Sequence, residues 1–422
     1  MRIDRINGRQ VFDSRGNPTL EVDVFLESGI MGRAIVPSGA STGVHEALEL
    51  RDNDALRFLG KSVFRAAGHV SDLLNKELKG WDVSDQRALD HRMIELDGTP
   101  NKGKIGANAI LGVSLAAAKA AAAARQVPLY QYLHDAKEYV IPMPMIQIIG
   151  GGLHAGNIID IQDFLVIPVK ANSFAEAMEM TFNVYFATKK IFQQRGMSVA
   201  VSDEGGFWPA FPSNETAMGV LTDAIAAAGY IPGTDVCIAL DVASSHFYNN
   251  GTYKLSKDER EMRSEEFIAM QEDWVKKYPI ISIEDGCAED DWEGWVSMTN
   301  RLGDQIQLIG DDLFTTRVDR IAKGQELGAA NAVLIKMNQI GTLTETLDAV
   351  EATRKAGYRP VVSARSGETE DTTMVDLCLA TGAGQIKVGS ITRSERLAKY
   401  NALLRIEEEL GEQGKMYKGL TR

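Results

Sequence analysis

The first 135 residues combine short runs of alternating apolar and polar positions with two longer helical patterns. Val63–Leu78 and the alanine-rich Asn108–Arg125 have the spacing or composition of helices. The shorter runs before them alternate in hydrophobicity or carry β-branched residues between turns, which predicts an antiparallel meander. These runs are Arg2–Asn7, Leu20–Glu27 and Ile30–Val36. We therefore predict an N-terminal α+β capping domain over residues 1–135, with Pro142 and Pro144 marking its boundary.

Beyond Pro144, short apolar runs recur, and each is followed by a helix-like stretch. Runs this rich in aliphatic residues are typical of strands buried on both faces. Eight of them suit a TIM-like α/β barrel over residues 140–422 better than an open doubly wound sheet, which would require a glycine-rich phosphate turn. The runs are Phe164–Pro168, Val199–Val201, Val236–Leu240, Ile280–Ile283, Leu308–Ile309, Ala332–Ile335, Pro360–Val362 and Ile386–Val388.

Ionisable residues recur at the ends of these apolar runs. In a parallel barrel, such positions converge on the mouth where active sites are built. The alternative is that each acid caps the following helix. Acids on three consecutive strands, followed by lysines on two later strands, favour a shared site instead. The residues are Asp203 and Glu204, Asp241, Glu284, Asp311 and Asp312, Lys336, Arg365 and Lys387.

The three consecutive acids predict a metal site. Asp241, Glu284 and Asp311 would repel one another unless a cation lay between them. An oxygen-only ligand set, without Cys or clustered His, selects Mg²⁺ or Mn²⁺ over Zn²⁺. Lys336 would lie near this cation, whose charge would lower the lysine pKa towards that of a useful base. The arrangement suits removal of a weakly acidic proton α to a carboxylate.

Composition limits the partners of the chain. A formal net charge of -13 over 422 residues argues against nucleic acid or an anionic membrane as the main partner. The three cysteines are too few for a disulfide framework and are expected to be buried thiols. Met1–Arg9 is unlike a signal peptide, and the longest apolar stretch, Leu115–Ala124, is shorter than the roughly 20 residues of a membrane span. We therefore expect a cytoplasmic protein without a membrane span.

Longer motifs surround the ionisable positions. They are Asp13–Thr19, Pro37–Gly43, Glu46–Asp52, Asp203–Phe207, Ile283–Asp285, Gly310–Asp312, Lys336–Thr342, Arg365–Asp371 and Arg393–Arg396. Together they resemble the enolase (phosphopyruvate hydratase) family over nearly the whole chain. The resemblance implies a Mg²⁺-dependent glycolytic hydro-lyase that interconverts 2-phosphoglycerate and phosphoenolpyruvate, and a homodimer or higher homo-oligomer.

The resemblance also implies roles for the matched positions. Lys336 matches the base that removes the C2 proton, and Glu204 matches the acid that helps hydroxide leave C3. Asp163 matches an active-site carboxylate, and His154 a histidine that closes over the substrate, although a loop histidine could also be purely structural. Two Mg²⁺ ions are implied, the first held by Asp241, Glu284 and Asp311 and the second by Ser41 and the substrate. Arg365 and Ser366 match the residues that bind the phosphate, and Lys387 matches the contact to the carboxylate. Gln162 and Ser41, the latter on the mobile Ser38–Gly43 loop, would also contact the substrate.

Four positions near the substrate site depart from the family pattern. Ala364 stands where the family has His, Asp163 shortens a Glu by one methylene, and Gly150 and Leu153 replace Asn and Ser. One interpretation is neutral drift in a working enolase. The second is specialisation for a related phospho- or phosphono-carboxylate through the same proton abstraction. A third, a non-catalytic binding protein, is opposed by retention of a costly cluster of like charges.

Overall fold

The N-terminal part of the chain forms the predicted antiparallel meander. The computed structural model describes residues 1–39 and 43–420. β1 (Ile3–Phe12), β2 (Pro18–Leu26) and β3 (Met31–Ile35) form one antiparallel sheet in that order. Nearly all of β2 is buried, because helices cover the face of the sheet.

Among the described residues, five α-helical segments complete this part of the fold. The predicted Val63–Leu78 helix forms with a π-helical turn, His69–Leu74, at its centre. The segments are α1 (Phe64–Gly68), α2 (Asn75–Leu78), α3 (Gln86–Asp97), which the sequence patterns did not predict, α4 (Ala107–Arg125) and α5 (Leu129–Leu133).

Helix α4 is the core of the N-terminal part. It is long and apolar enough to cross a membrane, but 83% of its most apolar window is buried inside the protein. A Cβ atom on Gly32 of β3 would lie 2.1 Å from the carbonyl oxygen of Ala116. The alanine face of the helix therefore packs directly on the sheet, which explains why both the glycine and the alanines are required there.

The remainder of the chain builds a closed eight-stranded barrel, as predicted. The strands of this part are β4 (Tyr139–Ile141), β5 (Met143–Gly150), β6 (Asp163–Ile167), β7 (Cys237–Asp241), β8 (Tyr248–Asn249), β9 (Thr252–Leu255), β10 (Arg260–Arg263), β11 (Ile280–Glu284), β12 (Gln307–Gly310), β13 (Ala332–Ile335), β14 (Arg359–Ser363), β15 (Gln385–Gly389) and β16 (Gly414–Met416). The order around the barrel is β11-β12-β13-β14-β15-β5-β6-β7. Strand β4 pairs with β16 outside it, and β8 to β10 form a separate small sheet.

Helices follow or separate the barrel strands. They are α6 (Phe174–Gln194), α7 (Asn214–Ala227), α8 (Ser264–Lys277), α9 (Trp292–Leu302), α10 (Val318–Leu327), α11 (Met337–Ile340), α12 (Leu343–Lys355), α13 (Thr373–Thr381) and α14 (Ser394–Leu410). Apolar strand residues such as Met145, Leu165 and Leu334 pack together in a cluster separate from the main core. The three cysteines are buried free thiols, as expected.

One of the eight predicted strands is wrong, and the barrel is not fully parallel. Val199–Val201 forms only an isolated bridge, between Val201 and Phe207. Its place is taken by β5, which begins directly after Pro142 and contains Pro144, the two residues that we had interpreted as marking the domain boundary. Strand β6 is antiparallel to both β5 and β7. Asp163 therefore reaches the mouth from the start of its strand, opposite Gly150 and Asp241.

Candidate active site at the barrel mouth

One cavity at the barrel mouth brings together most of the predicted site residues. Of the other predicted residues, Ser41 lies outside the described residues, and so does the side chain of His154, whose backbone forms part of the short turn Gly152–Ala155. The residues that line the cavity are Gln162, Asp163, Glu204, Asp241, Asp311, Lys336, Ser363, Ala364, Arg365, Ser366, Lys387, Val388 and Gly389.

Lys387 connects the acids of three neighbouring strands. Its Nζ lies 2.7 Å from Asp241 Oδ2, 2.8 Å from Glu284 Oε2 and 3.6 Å from Asp163 Oδ2. Burial would raise the pKa of the Asp241 carboxyl, but the Lys387 ammonium outweighs it and the pKa is lowered. Burial and the adjacent Asp241 instead raise the pKa of Glu284 well above its usual value. The two carboxyls of this pair therefore differ in their affinity for a proton.

Lys336 forms an ion pair with Asp311, whose second oxygen accepts a hydrogen bond of 2.8 Å from Gln339 Nε2. Burial would lower the pKa of Lys336, but the Asp311 carboxylate raises it above its usual value. The nearest charge to the ammonium is an anion, and its attraction exceeds the desolvation cost. Our expectation of a lowered Lys336 pKa concerns the lysine beside a bound divalent cation, and it stays a prediction.

The acids at the mouth fit a hard divalent cation. Within the described residues, Glu284 Oε1 is buried and has no hydrogen-bond partner, so this oxygen remains available as a ligand. Asp241 and Asp311 line the cavity, and Glu284 lies behind the lining, paired with Lys387. The combined donor set is made only of carboxylate oxygens. Such a set matches Mg²⁺ in charge and in ligand type.

A second acidic group includes Asp311. Ligand atoms of Asp285, Asp311 and Asp312 lie within 4.8 Å of one another. Both Asp285 oxygens, however, accept backbone N–H bonds, from Asp311 at 2.9 Å and from Asp312 at 3.0 Å. Asp285 therefore orients the turn after β12, which aims Asp311 into the mouth. We had not predicted this supporting role, although Asp285 lies within a motif that the sequence identified.

Asp163 and Glu204 approach each other from different elements. Asp163 begins β6, whereas Glu204 lies in the loop between the bridged residues Val201 and Phe207. The side-chain amide of Gln147, on β5, contacts both carboxylates. Gln147 was missed in the sequence because β5 itself was not predicted.

The cavity is also lined by the predicted phosphate-binding residues, Arg365 and Ser366. Arg365 NH1 lies 2.9 Å from Glu46 Oε2, and Arg365 NH2 lies 3.2 Å from Glu46 Oε1. Burial would lower the pKa of the Arg365 guanidinium, but Glu46 outweighs it and the pKa is raised. Arg396, which is fully buried, donates bonds of 2.6 Å to the carbonyl oxygens of Arg365 and Ser366. A second arginine, Arg396, therefore fixes the backbone that carries the Arg365 and Ser366 side chains.

The N-terminal part contacts this side of the mouth. Ser38 and Gly367 exchange backbone hydrogen bonds of 2.8 and 2.9 Å. Arg15 NH1 donates to Ser366 Oγ at 3.3 Å, and its NH2 donates to the carbonyls of Ser38 and Gly39 at 3.2 Å. Ser38 and Gly39, which lead into the predicted loop of Ser41, are thus attached to the turn that carries Ser366.

Comparison with known proteins agrees with this geometry. Residues 3–133 match the family model for the enolase N-terminal domain, and residues 138–422 match the model for the enolase C-terminal TIM barrel domain. A curated protein of Desulfitobacterium hafniense (strain Y51), named Enolase 1, is 58% identical over 413 residues, which cover 97% of this chain and 94% of that protein. With its closed barrel and its carboxylate- and lysine-lined mouth, this chain belongs to the enolase family of hydro-lyases.

Proposed function

We propose that the barrel mouth catalyses the reversible dehydration of 2-phosphoglycerate to phosphoenolpyruvate. The observation that carries this proposal is the 58% identity to Enolase 1 along nearly the whole chain. The convergence of acids, lysines and Arg365 on one cavity supports it further, because this reaction needs a base, an acid and positive charge around an anionic substrate. The alternative, a different phospho- or phosphono-carboxylate as substrate, is not favoured by these matches.

We assign the two proton transfers to Lys336 and Glu204, which both line the cavity. Lys336 takes the proton from C2, and the electron pair of that C–H bond moves into the substrate carboxylate, which becomes an enediolate. The pair then forms the C2–C3 double bond as the C3–O bond breaks, and the hydroxyl leaves as water with a proton supplied by Glu204. Asp163, beside Glu204, and His154, in the loop after β5, would complete this side of the site.

Substrate anions and Mg²⁺ have separate binding residues in this proposal. Arg365 and Ser366 would bind the phosphate, because a guanidinium offers a planar fork to phosphate oxygens. Gln162 and Lys387 would bind the carboxylate. Asp241, Glu284 and Asp311 would hold one Mg²⁺, and Ser41 together with the substrate would hold a second. Bound Mg²⁺ supplies positive charge that stabilises the negative charge developing on the substrate carboxylate.

The remaining assignments are also proposals. We propose a capping domain over residues 1–135 and a barrel domain over residues 140–422, supported by their separate sheets. We further propose a cytoplasmic, glycolytic enzyme that forms a homodimer or a higher homo-oligomer, which the family membership supports.

The test is formation of phosphoenolpyruvate from 2-phosphoglycerate by the full chain with Mg²⁺, followed by absorbance. We expect a turnover number of about 1 s⁻¹ or more, as for ordinary enzymes. A Glu284→Gln variant, which replaces one ligand oxygen by an amide, should need more Mg²⁺ for half-maximal rate. No detectable product from folded, Mg²⁺-binding wild-type protein would refute the proposal.

A further inference from the structure

Gln147 is a fully buried glutamine at the barrel mouth, and its amide can adopt only one orientation. The backbone N–H of Gly206 donates to Gln147 Oε1 at 2.9 Å. The hydroxyl of Ser202 donates to the same oxygen at 3.4 Å. Two donors at Oε1 require the NH₂ group to point the other way.

The NH₂ group of Gln147 points at the two carboxylates that we assign to acid chemistry. Nε2 donates to Asp163 Oδ1 and, at 3.4 Å, to Glu204 Oε2. Asp163 belongs to β6, and Glu204 belongs to a loop 41 positions later in the chain. A single amide with two N–H bonds thus links two acids that would otherwise repel each other and that no shared element holds together.

Neighbouring glycines make room for this link. A Cβ atom on Gly206 would lie 2.5 Å from Gln147 Oε1, and a Cβ atom on Gly150 would lie 2.8 Å from Ser202 Oγ and 3.4 Å from Gln147 Nε2. Gly150 also pairs directly with Asp163 across β5 and β6. A side chain at either glycine would therefore displace the glutamine or the serine that orients it.

We propose that Gln147 is a positioning residue that holds Glu204 and Asp163 in the geometry needed for departure of the substrate hydroxyl. The inference rests on the proposed function. Among the described residues, the hydrogen-bond partners of the Gln147 side chain are Asp163, Glu204, Ser202 and Gly206, and not Lys336, which takes the C2 proton. The two halves of the reaction therefore depend on Gln147 differently. Proton removal at C2 requires Lys336, whereas cleavage of the C3–O bond also requires a proton from a correctly placed Glu204.

This difference gives a measurement that a purely structural role would not affect. In deuterated water, Lys336 exchanges the C2 hydrogen of 2-phosphoglycerate, which proton NMR follows, while absorbance follows phosphoenolpyruvate. For Gln147→Leu we expect product formation to fall about 10- to 100-fold, as for loss of a hydrogen bond to a charged group. C2 exchange should fall far less, and KM should change by less than about threefold, because the phosphate and carboxylate contacts remain.

Two further variants keep the test independent of folding. Gln147→Asn retains the amide but is one methylene shorter, so it should lose product formation with exchange retained. Adding Asp163→Glu lengthens the partner by one methylene, so the double variant should recover at least part of the lost rate. Gln86→Leu is the matched control, since the Gln86 amide also donates to a buried carboxylate, Asp90 Oδ1 at 3.0 Å, but lies in the N-terminal part. Gln86→Leu should leave the ratio of exchange to product formation unchanged.

The outcomes separate this inference from the proposed function. A folded wild-type protein that forms no product would overturn the proposed function and this inference with it. If the wild type is active but Gln147→Leu and Gln147→Asn lose exchange and product formation in equal proportion, Gln147 has only a structural role. An unchanged rate of product formation in both variants, or no recovery in the double variant, would likewise overturn the inference.

Discussion

Lys387→Met should destabilise the protein strongly in the absence of Mg²⁺ and much less in its presence. The Lys387 ammonium lies 2.7 Å from Asp241 and 2.8 Å from Glu284, and its side chain is 8% exposed. Removing one partner of a buried ion pair costs about 3–5 kcal/mol, because a buried charge is left uncompensated. Mg²⁺ bound to the same acids would supply the missing positive charge and restore much of this free energy.

The assay is chemical unfolding in chelator and in excess Mg²⁺. Lys276→Met is the control, because Lys276 makes a 2.8 Å ion pair with Glu272 but is 62% exposed. Solvent screens that pair, so its loss should have little effect under either condition. The comparison of the two variants isolates the effect of burial, because both replace a lysine by methionine and both lysines lie at a similar distance from a carboxylate.

The pH dependence of the Lys387→Met variant has a definite sign. In the wild type, Lys387 lowers the pKa of Asp241. Without it, burial raises the folded-state pKa of Asp241 above its unfolded value, so its contribution is present at low pH and lost as pH rises. The deficit in metal-free stability should therefore grow as pH rises above about 4, the ordinary carboxyl pKa. An equal loss with and without Mg²⁺, or a deficit that shrinks with rising pH, would refute the reasoning.

Three other predictions concern the same cavity. Lys336→Ala should abolish exchange of the C2 hydrogen with solvent, measured by NMR in deuterated water; retained exchange would mean that another group is the base. Ala364→His should raise the rate of phosphoenolpyruvate formation by roughly 10- to 150-fold if a lost hydrogen bond to the phosphate limits the enzyme, and an unchanged rate would contradict that account. Removal of divalent metal by a chelator should abolish turnover and lower the melting temperature in calorimetry, because Asp241, Glu284 and Asp311 then lose a counter-ion; Mg²⁺ should restore both, and full activity in chelator would exclude a metal requirement.

The departures from the family pattern are easier to interpret once the mouth is seen in three dimensions. Gly150 and Asp163 are direct neighbours across two strands, and both lie against Gln147. Ala364 instead lines the cavity next to Arg365, on the phosphate side. The changes at Gly150 and Asp163 therefore concern the Asp163–Glu204 pair, whereas the change at Ala364 concerns the binding of the substrate phosphate. We expect the first two to affect departure of the hydroxyl and the third to affect phosphate binding.

Sequence patterns alone determined the barrel class and the acidic and basic residues at its mouth, although one of the eight predicted strands was wrong. Buried parallel strands must be apolar along their length, so an ionisable residue at the end of such a run is conspicuous. Asp241, Glu284 and Lys336 were identified in this way, and the structure places each at the end of its strand or one position beyond. Asp163 does not follow this rule, because β6 is antiparallel and presents its first residue to the mouth. Only the family motif identified it.

Tertiary structure alone decided which charges meet and how they are held. Nothing in the sequence indicates that Lys387 lies between Asp241 and Glu284, or that Asp311 is close enough to raise the pKa of Lys336. Nor does it indicate that Gln147 connects Asp163 with Glu204. Gln147 lies on β5, a strand that we did not predict because we interpreted its prolines as a domain boundary. The physical reason is that hydrophobic periodicity is a local property of the chain. Hydrogen bonds and pKa shifts instead depend on distances of a few ångströms between residues that are far apart in sequence.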